Sequence, residues 1–324
     1  MRPTISVIIP CRNGGKTICR ALASLERQSF DDFETIVIND GSTDDTGQKI
    51  ADYTVHSPLK LTLISQRNAG AAAARNAGIQ AAKGEWLAFL DADDVFHKDL
   101  LRALFLGICH DCDTAFGYTS RDTQAILQEK TQIPQSDYSF LPIDKAMEEF
   151  MYHKEKIHFT NFIYSAQILR DCQIAFRSGV QYGEDLEFVW KYLARCQRAC
   201  VIRRPIYGYE NNPHSAVHKI RWSKTDLADA MLRTGDYIKK YRPSFAPMFT
   251  SYMIPRAMWT VAKTFAVGNE YEMYQLFCRQ YHLRRHMAAL KISARSRLLR
   301  ISSQIYLTSP LLFYHAVRWS YQWR

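Results

Sequence analysis

The sequence changes from apolar to strongly acidic within one short stretch, Trp86-Leu87-Ala88-Phe89-Leu90-Asp91-Ala92-Asp93-Asp94. The first five residues are typical of a buried β-strand. Three carboxylates then follow within four positions, and this crowding is costly unless a cation or a proton neutralises the charge. A helix cap needs only one acid. We therefore expect a divalent metal ion at the carboxyl edge of a sheet, where open α/β sheets bind ligands.

Strands and helices alternate through the first hundred residues. We expect strands at 5–9, 34–38, 61–65 and 86–90, and helices at about 17–28, from a cap at 43–46 to about 53, and at 71–82. Further helices are expected near 98–110, 144–153 and 184–195, and short strands near 114–118, 161–164 and 200–209. This alternation predicts an α/β fold with a doubly wound, mostly parallel sheet. Beyond residue 212 the pattern predicts a helical extension.

Composition is that of a globular protein, with 324 residues of which 47% are hydrophobic. No apolar run of about 18 residues is present, so we expect no membrane-spanning helix. The N-terminal sequence contains no signal-peptide core, and the eight cysteines are scattered. These features predict reduced thiols in a cytoplasmic protein.

Positive charge is concentrated at the C-terminus. Nine Lys and Arg residues and no acids follow residue 272, whereas the first 272 residues carry 33 basic and 32 acidic residues. Apolar residues in this region recur at helical spacing at Leu283, Met287, Leu290, Ala294, Leu298, Ile301 and Ile305. A single basic amphipathic helix of this kind predicts contact with an anionic membrane surface. The alternative is that the helix packs on the α/β domain that precedes it. Because the aromatic residues cluster beyond the charges, we expect no nucleic-acid partner.

Polar loops follow the first four predicted strands and should converge at one edge of the sheet. They contain Pro10-Cys11-Arg12-Asn13-Gly14-Gly15, Asp40-Gly41-Ser42-Thr43-Asp44, Asn68-Ala69-Gly70 with Arg75-Asn76, and the acidic stretch. Asp40 can accept hydrogen bonds from a nucleotide base, and Arg75 can bind phosphate with its planar fork. Asp91 and Asp93 suit Mg²⁺ or Mn²⁺. Each loop alone could be a turn or a cap, so the prediction depends on their occurring in order.

The chain resembles the family 2 glycosyltransferases, which are inverting enzymes with the GT-A fold, and within them the bacterial surface-polysaccharide type. The resemblance covers the chain from about residue 4 to about residue 218, and five groups of matching residues carry it. They are Val7-Ile8-Ile9-Pro10-x-x-Asn13, Asn39-Asp40-Gly41-Ser42-Thr43-Asp44, Asn68-x-Gly70 with Ala74-Arg75-Asn76, Phe89-Leu90-Asp91-Ala92-Asp93-Asp94 and Gly183-Glu184-Asp185-Leu186-Glu187-Phe188. The glycine motifs of dinucleotide-binding folds and of P-loop ATPases are absent from the sequence.

The resemblance implies a nucleotide-binding set that consists of Pro10, Arg12, Asn13, Asp40, Asn68, Arg75, Asp91 and Ala92. It also implies Mn²⁺ or Mg²⁺ held by Asp91 and Asp93, with His214 as a third ligand and His218 as its rival. UDP-sugars are the commonest donors in such enzymes. The implied domains are 1–216, with a nucleotide-binding half (1–100) and an acceptor half (101–216), and a basic helical region at 217–324.

Asp185 is the candidate general base, because an acceptor hydroxyl needs a carboxylate to remove its proton during attack. Glu184 is adjacent and could serve instead or orient the acceptor. The simpler reading is that both acids only favour a helix N-terminus. The predicted function is transfer of a sugar from a nucleotide-sugar to a glycan or lipid-linked glycan at the inner face of the cytoplasmic membrane. The rivals are a metal-dependent nucleotidyltransferase and a non-catalytic nucleotide-sugar or glycan-binding protein.

Overall fold

The computed structural model describes residues 2–153, 156–211 and 221–322. The chain divides into two compact units, which we call the sheet unit (Met1–Gly179 with Arg195–Pro213) and the helical unit (Val180–Ala194 with His214–Arg324). The domain boundary predicted near residue 216 lies outside the described residues and stays a prediction.

The described part of the sheet unit contains one nine-stranded mixed sheet. Its strands are β1 (Ile5–Cys11), β2 (Phe33–Asp40), β3 (Leu61–Gln66), β4 (Trp86–Phe89), β5 (Val95–Phe96), β6 (Thr114–Ser120), β7 (Tyr138–Pro142), β8 (Phe162–Ser165) and β9 (Arg198–Gly208). The order across the sheet is β3-β2-β1-β4-β8-β6-β9-β5, and β7 pairs with β9. Strands β3, β2, β1 and β4 are parallel, whereas β8 runs antiparallel to both β4 and β6.

Helices cover both faces of the parallel half of this sheet. The helices of the sheet unit are α1 (Ile18–Glu26), α2 (Thr46–His56), α3 (Ala71–Ala81), α4 (Leu100–Ile108), α5 (Thr123–Gln128), α6 (Ile143–Tyr152) and α7 (Ala166–Asp171). Val7 of β1 shares a buried cluster with Leu22 of α1 and Leu101 of α4. The next residue, Ile8, lies against Gly78 of α3, where a β-carbon would be only 2.3 Å from Ile8 Cγ2. Burial on both faces explains why β1 is mostly apolar, with Val7, Ile8 and Ile9 in succession, rather than alternating.

The predicted elements of the first 210 residues are confirmed, with bounds that shift by a few residues at each end. The sheet is parallel where the sequence alternates strand and helix. The antiparallel β8 enters between β4 and β6, and this insertion has no local signal in the sequence.

The helical unit contains α8 (Glu184–Leu193), α9 (Asp226–Tyr241), α10 (Ala246–Met248), α11 (Ile254–Val267), α12 (Tyr271–Gln280), α13 (Leu283–Ser293), α14 (Arg297–Thr308) and α15 (Pro310–Gln322). One π-helical turn, Phe249–Met253, joins α10 to α11. Trp190 of α8 packs on Phe245 and Phe249, with ring centroids 6.0 and 5.2 Å apart. These contacts bury α8 against the chain that follows α9.

The single amphipathic helix predicted across residues 283–305 is wrong. Helix α13 ends at Ser293, the backbone is extended at Ala294 and Ser296, and α14 begins at Arg297. The first four residues of the predicted stripe, from Leu283 to Ala294, are buried within the helical unit, whereas Leu298 and Ile301 are each 61% exposed. The chain bends because α14 buries a different face, formed by Leu299, Ser303 and Tyr306.

In the part of the chain that the structure describes, no helix has the length and apolarity needed to cross a bilayer.

A buried ion cluster joins α8 to α9. Glu187 is 2% exposed and accepts hydrogen bonds from Lys191 and Arg233, each at 2.7 Å. Burial alone would raise the pKa of Glu187, but the hydrogen bonds from Arg233 and Lys191 outweigh it and hold the pKa below its ordinary value. The charged carboxylate of Glu187 therefore links α8 to α9.

We predict that Glu187→Gln lowers the free energy of unfolding at pH 7 by roughly 3 kcal/mol, because removing one partner of a buried ion pair leaves the other uncompensated. The folded-state pKa of Glu187 is depressed, so its stabilisation is present above the unfolded pKa of about 4.3 and is lost as pH falls through the folded pKa. Denaturant unfolding at pH 7 and at pH 3 measures both effects. Asp236→Asn, in an exposed pair with Lys239 on α9, is the control and should change stability little. An equal loss for Glu187→Gln at both pH values would contradict the prediction.

Candidate functional site

The loops after β1 and β2 are bonded to each other at the carboxyl edge of the sheet. Asn13 has a φ of +52°, which turns its backbone N–H toward Ser42 Oγ at 3.0 Å. Its side-chain Oδ1 accepts from the backbone N of Thr43 at 2.8 Å. Pro10 lies in β1 beside Ile38 of β2. The first two polar loops thus form one surface, as predicted.

Asp40 ends β2 and is 3% exposed. Its Oδ1 accepts from Gln66 Nε2 and from the backbone N of Ala69, both at 2.8 Å, and its Oδ2 accepts from the backbone N of Gly70 at 2.9 Å. With its amide oriented to suit both neighbours, Asn68 donates to Asp40 Oδ2 at 3.1 Å and accepts from the Arg12 guanidinium. A carboxylate has about four acceptor positions. A nucleotide base can therefore reach Asp40 only by replacing one of these donors.

Two glycines make this close approach feasible. Gly41 has a φ of +64°, and a β-carbon there would lie 2.7 Å from the backbone N of Asn68. Gly70 has a φ of +89° and precedes α3. Both conformations favour glycine strongly, which explains why the Asp40-Gly41 and Asn68-x-Gly70 motifs occur as they do.

Arg75 projects from α3 and is 7% exposed. Its guanidinium carbon lies 4.3 Å from the ring centre of Phe159 and 5.4 Å from that of Phe176. Its Nη2 lies 3.2 Å from Asp91 Oδ1. Asn76 fixes one of the rings, since its amide bonds to the backbone O and N of Phe176 at 2.7 and 2.9 Å. The two rings therefore hold the guanidinium against Asp91, and no sequence motif predicts either ring.

The acidic loop after β4 places its three carboxylates in different environments. Asp91 and Asp93 are half-buried, whereas Asp94 is 2% exposed. Burial and the neighbouring Asp91 raise the pKa of Asp94 to about 8. Asp94 accepts from the hydroxyl of Tyr207 at 2.7 Å and from the backbone N of Glu210 at 2.8 Å. Burial and the nearby acids thus favour the protonated form of Asp94, whereas Asp91 and Asp93 lie closer to solvent.

Tyr207 of β9 connects Asp91 to Asp94. Its hydroxyl donates to Asp94 and accepts from the backbone N of Asp91 at 3.3 Å. Burial is the main cause that raises the pKa of Tyr207 well above its ordinary value. The phenol therefore stays protonated and orders the acidic loop. Sequence reasoning missed Tyr207, which lies more than 110 residues from the loop and has no motif of its own.

The remaining predicted nucleotide-binding residues lie along the same edge. Arg12 is exposed, and its guanidinium lies 3.2 and 3.3 Å from the Asn68 amide oxygen. Ala92 is half-buried, and a β-carbon on Gly14 would lie 3.5 Å from its side chain. The structure thus brings the predicted residues of the sheet unit into one connected set of contacts.

The donor set suits a hard divalent cation that is shared with a substrate. Among residues 2–153, 156–211 and 221–322, no group of three or more His, Cys, Asp or Glu side chains could hold a metal ion by itself. Asp91 and Asp93 supply two carboxylates, and Mg²⁺ typically binds through one or two carboxylates together with substrate phosphates. His214 and His218 lie outside the described residues, so the predicted third ligand stays a prediction.

Glu184 and Asp185 begin α8 in the helical unit and are half-buried. Gly183 precedes them with a φ of +85°, and a β-carbon there would lie 3.0 Å from Leu227 Cα of α9. Asp185 Oδ1 accepts from the backbone N of Leu186 at 2.7 Å. The motif thus places both acids at a helix N-terminus, where the free N–H groups stabilise negative charge.

The family profile described as Glycosyl transferase family 2 matches residues 6–172. Because this match covers more than half of the chain, the protein belongs to the family 2 glycosyltransferases. The matched residues include the loops after β1, β2, β3 and β4 that form the connected set described above.

Individual relatives agree with this assignment. The uncharacterized glycosyltransferase EpsJ of Bacillus subtilis is 26% identical over 66% of this chain and 63% of its own length. The poly(ribitol-phosphate) β-N-acetylglucosaminyltransferase TarS of Staphylococcus aureus is 29% identical over 63% of this chain and 35% of its own length. These alignments thus span less than two thirds of each relative.

Solved structures show that the fold is GT-A. The crystal structure of TarS residues 1–349 with UDP-GlcNAc matches with a TM-score of 0.72 and 20% identity, covering 98% of this chain and 91% of that one. The mannosyltransferase PcManGT of Pyrobaculum calidifontis, solved with GDP-Man and Mn²⁺, matches with a TM-score of 0.54 and 18% identity over 98% of this chain and 87% of that one. The predicted family and fold are confirmed.

We predict that Tyr207→Phe lowers the free energy of unfolding by about 1–3 kcal/mol, because Asp94 loses a buried hydrogen-bond donor and the backbone of Asp91 loses its acceptor. Denaturant unfolding at neutral pH gives the value. Tyr53→Phe is the control in the same unit, since its half-buried hydroxyl bonds Glu26 away from the acidic loop. Equal stability of Tyr207→Phe and the wild type would show that the hydroxyl does not order the loop.

Proposed function

We propose that the protein is an inverting, metal-dependent glycosyltransferase that transfers a sugar from a UDP-sugar to a hydroxyl group of a glycan or lipid-linked glycan in cell-surface polysaccharide synthesis. The observation that carries this proposal is the continuous set of contacts from Asp40 through the 66–70 loop, and from Arg75 to the acidic loop. A base-binding edge, a buried guanidinium and paired carboxylates are what a nucleoside diphosphate requires.

The nucleotide is assigned to the loops after β1 to β4. Asp40 orders the 66–70 loop, so that loop and the exposed Arg12 and Asn13 form the wall for the base. Arg75 pairs with Asp91 and so offsets part of the negative charge of the acidic loop. The rest of that loop is assigned to the ribose and the diphosphate. TarS is described in complex with UDP-GlcNAc, which supports a UDP-sugar donor for this chain.

Asp91 and Asp93 would hold Mn²⁺ or Mg²⁺, since these two half-buried carboxylates are the hard oxygen donors that such ions prefer. When bound, the cation neutralises charge on the departing diphosphate. The neighbour PcManGT is described with Mn²⁺, which supports the choice of metal. The protonated Asp94 and Tyr207 keep the loop ordered.

Asp185 is proposed as the general base. Its carboxylate accepts the proton of the acceptor hydroxyl while that oxygen bonds to the anomeric carbon and the bond to the nucleoside diphosphate breaks. Attack from the side opposite the leaving group inverts the anomeric configuration in one step. Glu184, on the same first turn of α8, is the alternative base or orients the acceptor. The acceptor is proposed to be a polymer because TarS, by its name, acts on poly(ribitol-phosphate).

A second proposal concerns the surface of α14. Leu298 and Ile301 are each 61% exposed, and Ile292 at the end of α13 is 85% exposed. Exposed arginines at 295, 297 and 300 lie between and beside them, and the sequence has no acid after residue 272. Basic residues beside exposed apolar ones suit an anionic membrane surface. This surface replaces the longer stripe that the sequence predicted, and it would hold the enzyme at the inner face of the cytoplasmic membrane.

Asp93→Ala should weaken UDP binding in the presence of Mn²⁺ by at least tenfold and leave metal-free UDP binding nearly unchanged, because the lost carboxylate contacts the cation rather than the nucleotide. Calorimetric titration of UDP with and without Mn²⁺ measures this. A thermal-shift screen of nucleotide-sugars identifies the donor, since native-state ligands raise Tm. Asp52→Ala, an exposed acid on α2, is the control. Unchanged affinity for Asp93→Ala with Mn²⁺ would refute the metal assignment.

Asp185→Asn should lower kcat by about 10²-fold or more while the KM for the donor changes little, because a general base acts in the transition state and not in donor binding. Release of UDP with the best donor and acceptor is the measurement, and release of pyrophosphate instead would favour a nucleotidyltransferase. Glu184→Gln is the matched variant on the same turn. If Glu184→Gln loses turnover and Asp185→Asn retains it, Glu184 is the base.

The triple variant Arg295→Glu, Arg297→Glu, Arg300→Glu should bind anionic vesicles at least about 100-fold more weakly, since each cation near an anionic surface contributes about 1 kcal/mol. Co-sedimentation with anionic and with neutral vesicles measures this. Leu298→Ser with Ile301→Ser should also weaken binding. Leu276→Ser, which removes an equally exposed apolar residue from α12, is the control. Equal sedimentation of all variants, or binding to neutral vesicles alone, would overturn the membrane proposal.

A further inference from the structure

The side chain of Arg20, on α1, contacts the backbone of the acidic loop. Its Nη2 donates to the carbonyl oxygen of Asp93 at 2.7 Å. Its Nη1 lies 2.8 Å from Glu210 Oε2. The same guanidinium therefore bonds two segments that are 117 positions apart in the sequence. Neither Arg20 nor Glu210 belongs to a motif of the family resemblance.

Glu210 contacts the other end of the same loop. Its backbone N donates to Asp94 Oδ1 at 2.8 Å, and its carboxylate also accepts from Thr123 Oγ1 at 3.1 Å. The contacts form a closed ring, which runs from Arg20 to the Asp93 carbonyl, along the chain to Asp94, across to Glu210 and back to Arg20. The peptide that joins Asp93 to Asp94 is thus held on both sides.

This ring counteracts the tendency of the acidic loop to open. Asp91, Asp93 and Asp94 lie within four positions of the sequence and repel one another when they are charged. Without fixed contacts, the half-buried Asp93 would relax toward solvent. A cation site needs its carboxylates in place before the ion arrives, and groups outside the ligand set commonly provide that order.

We infer that Arg20 and Glu210 are positioning residues that hold Asp93 ready for a divalent cation bound together with a nucleoside diphosphate. This inference rests on the proposed function, because it concerns the same metal site. The residues act through the backbone of Asp93 and the side chain of Asp94 and touch neither substrate nor cation.

The competing explanation is an ordinary surface ion pair, which contributes about 0–1 kcal/mol to stability and nothing to function. The sheet unit offers a matched comparison. Arg204 and Glu129 form a pair at 3.4 Å whose side chains are 29% and 35% exposed, close to the 33% and 38% of Arg20 and Glu210. Arg204 of this second pair also contacts Thr131 and Asp137, away from the acidic loop.

The test compares Arg20→Ala, Arg20→Lys, Glu210→Ala and Arg204→Ala with the wild type. Mn²⁺ affinity in the presence of saturating UDP is measured by calorimetry, and Tm is measured on the same samples. We expect Arg20→Ala to weaken Mn²⁺ binding by about 10- to 100-fold. Arg20→Lys should fall between it and the wild type, because an ammonium keeps the charge but lacks the planar fork that makes both bonds. Arg204→Ala should bind Mn²⁺ like the wild type.

A double variant separates a shared role from two independent ones. If Arg20 and Glu210 act as one unit, Arg20→Ala with Glu210→Ala should lose little more Mn²⁺ affinity than Arg20→Ala alone. Wild-type Mn²⁺ affinity in a folded Arg20→Ala protein would overturn the inference, and so would an equal loss in Arg204→Ala. Should Arg20→Ala not fold, the same criteria apply to Arg20→Lys and Glu210→Ala. A wild-type protein that binds UDP but no Mn²⁺ would remove the proposed metal site and this inference together, whereas the two other results remove only the inference.

Discussion

Repulsion among the three carboxylates after β4 is the constraint to which the rest of the sheet unit responds. Each acid meets it differently. Asp91 faces the guanidinium of Arg75, Asp94 is buried with a raised pKa beside Tyr207, and Arg20 holds the backbone of Asp93. One cation, one proton and one backbone anchor therefore offset or restrain the charge before any ligand binds. Like charges this close together are tolerated only with such compensation. The acidic loop therefore explains why these residues surround it.

The contacts that compensate the acids come from distant parts of the chain. Arg75 is held by Phe159 and Phe176, and the hydroxyl of Tyr207 lies on β9. Strand β9 reaches the acidic loop because it pairs with β6 and with the two-residue strand β5 directly after the loop. The mixed, second half of the sheet thus supports the chemistry that the parallel first half presents. A local sequence motif of the family therefore cannot order the acidic loop without the later strands.

Asp40 lies at the predicted edge of the sheet, but its carboxylate does more than accept hydrogen bonds from a base. Its carboxylate is buried and accepts four hydrogen bonds from the 66–70 loop, if the Asn68 amide is included. The physical consequence is a rigid loop after β3, which presents Asn68 beside Arg12. In the proposed function, recognition of the base is therefore shared between Asp40 and the loop it orders. Membership of family 2 rests on the family match, and the GT-A fold rests on the solved structures.

The order of strands and helices in the parallel half, the four polar loops and their convergence at one edge could all be predicted from the amino-acid pattern. This is possible because apolar periodicity, glycine at positive φ and clustered acids are local signals, as at Gly41, Gly70 and Asp91–Asp94. Three features could not be predicted in this way: the antiparallel entry of β8 into the sheet, the contacts of Tyr207 and Arg20 with the acidic loop, and the break between α13 and α14. Each of these depends on which distant residues bury each other, and a periodic stripe such as Leu283 to Ile305 does not record where its partners lie. The physical reason is that burial depends on contacts between distant segments, whereas a hydrophobic pattern belongs to a single segment.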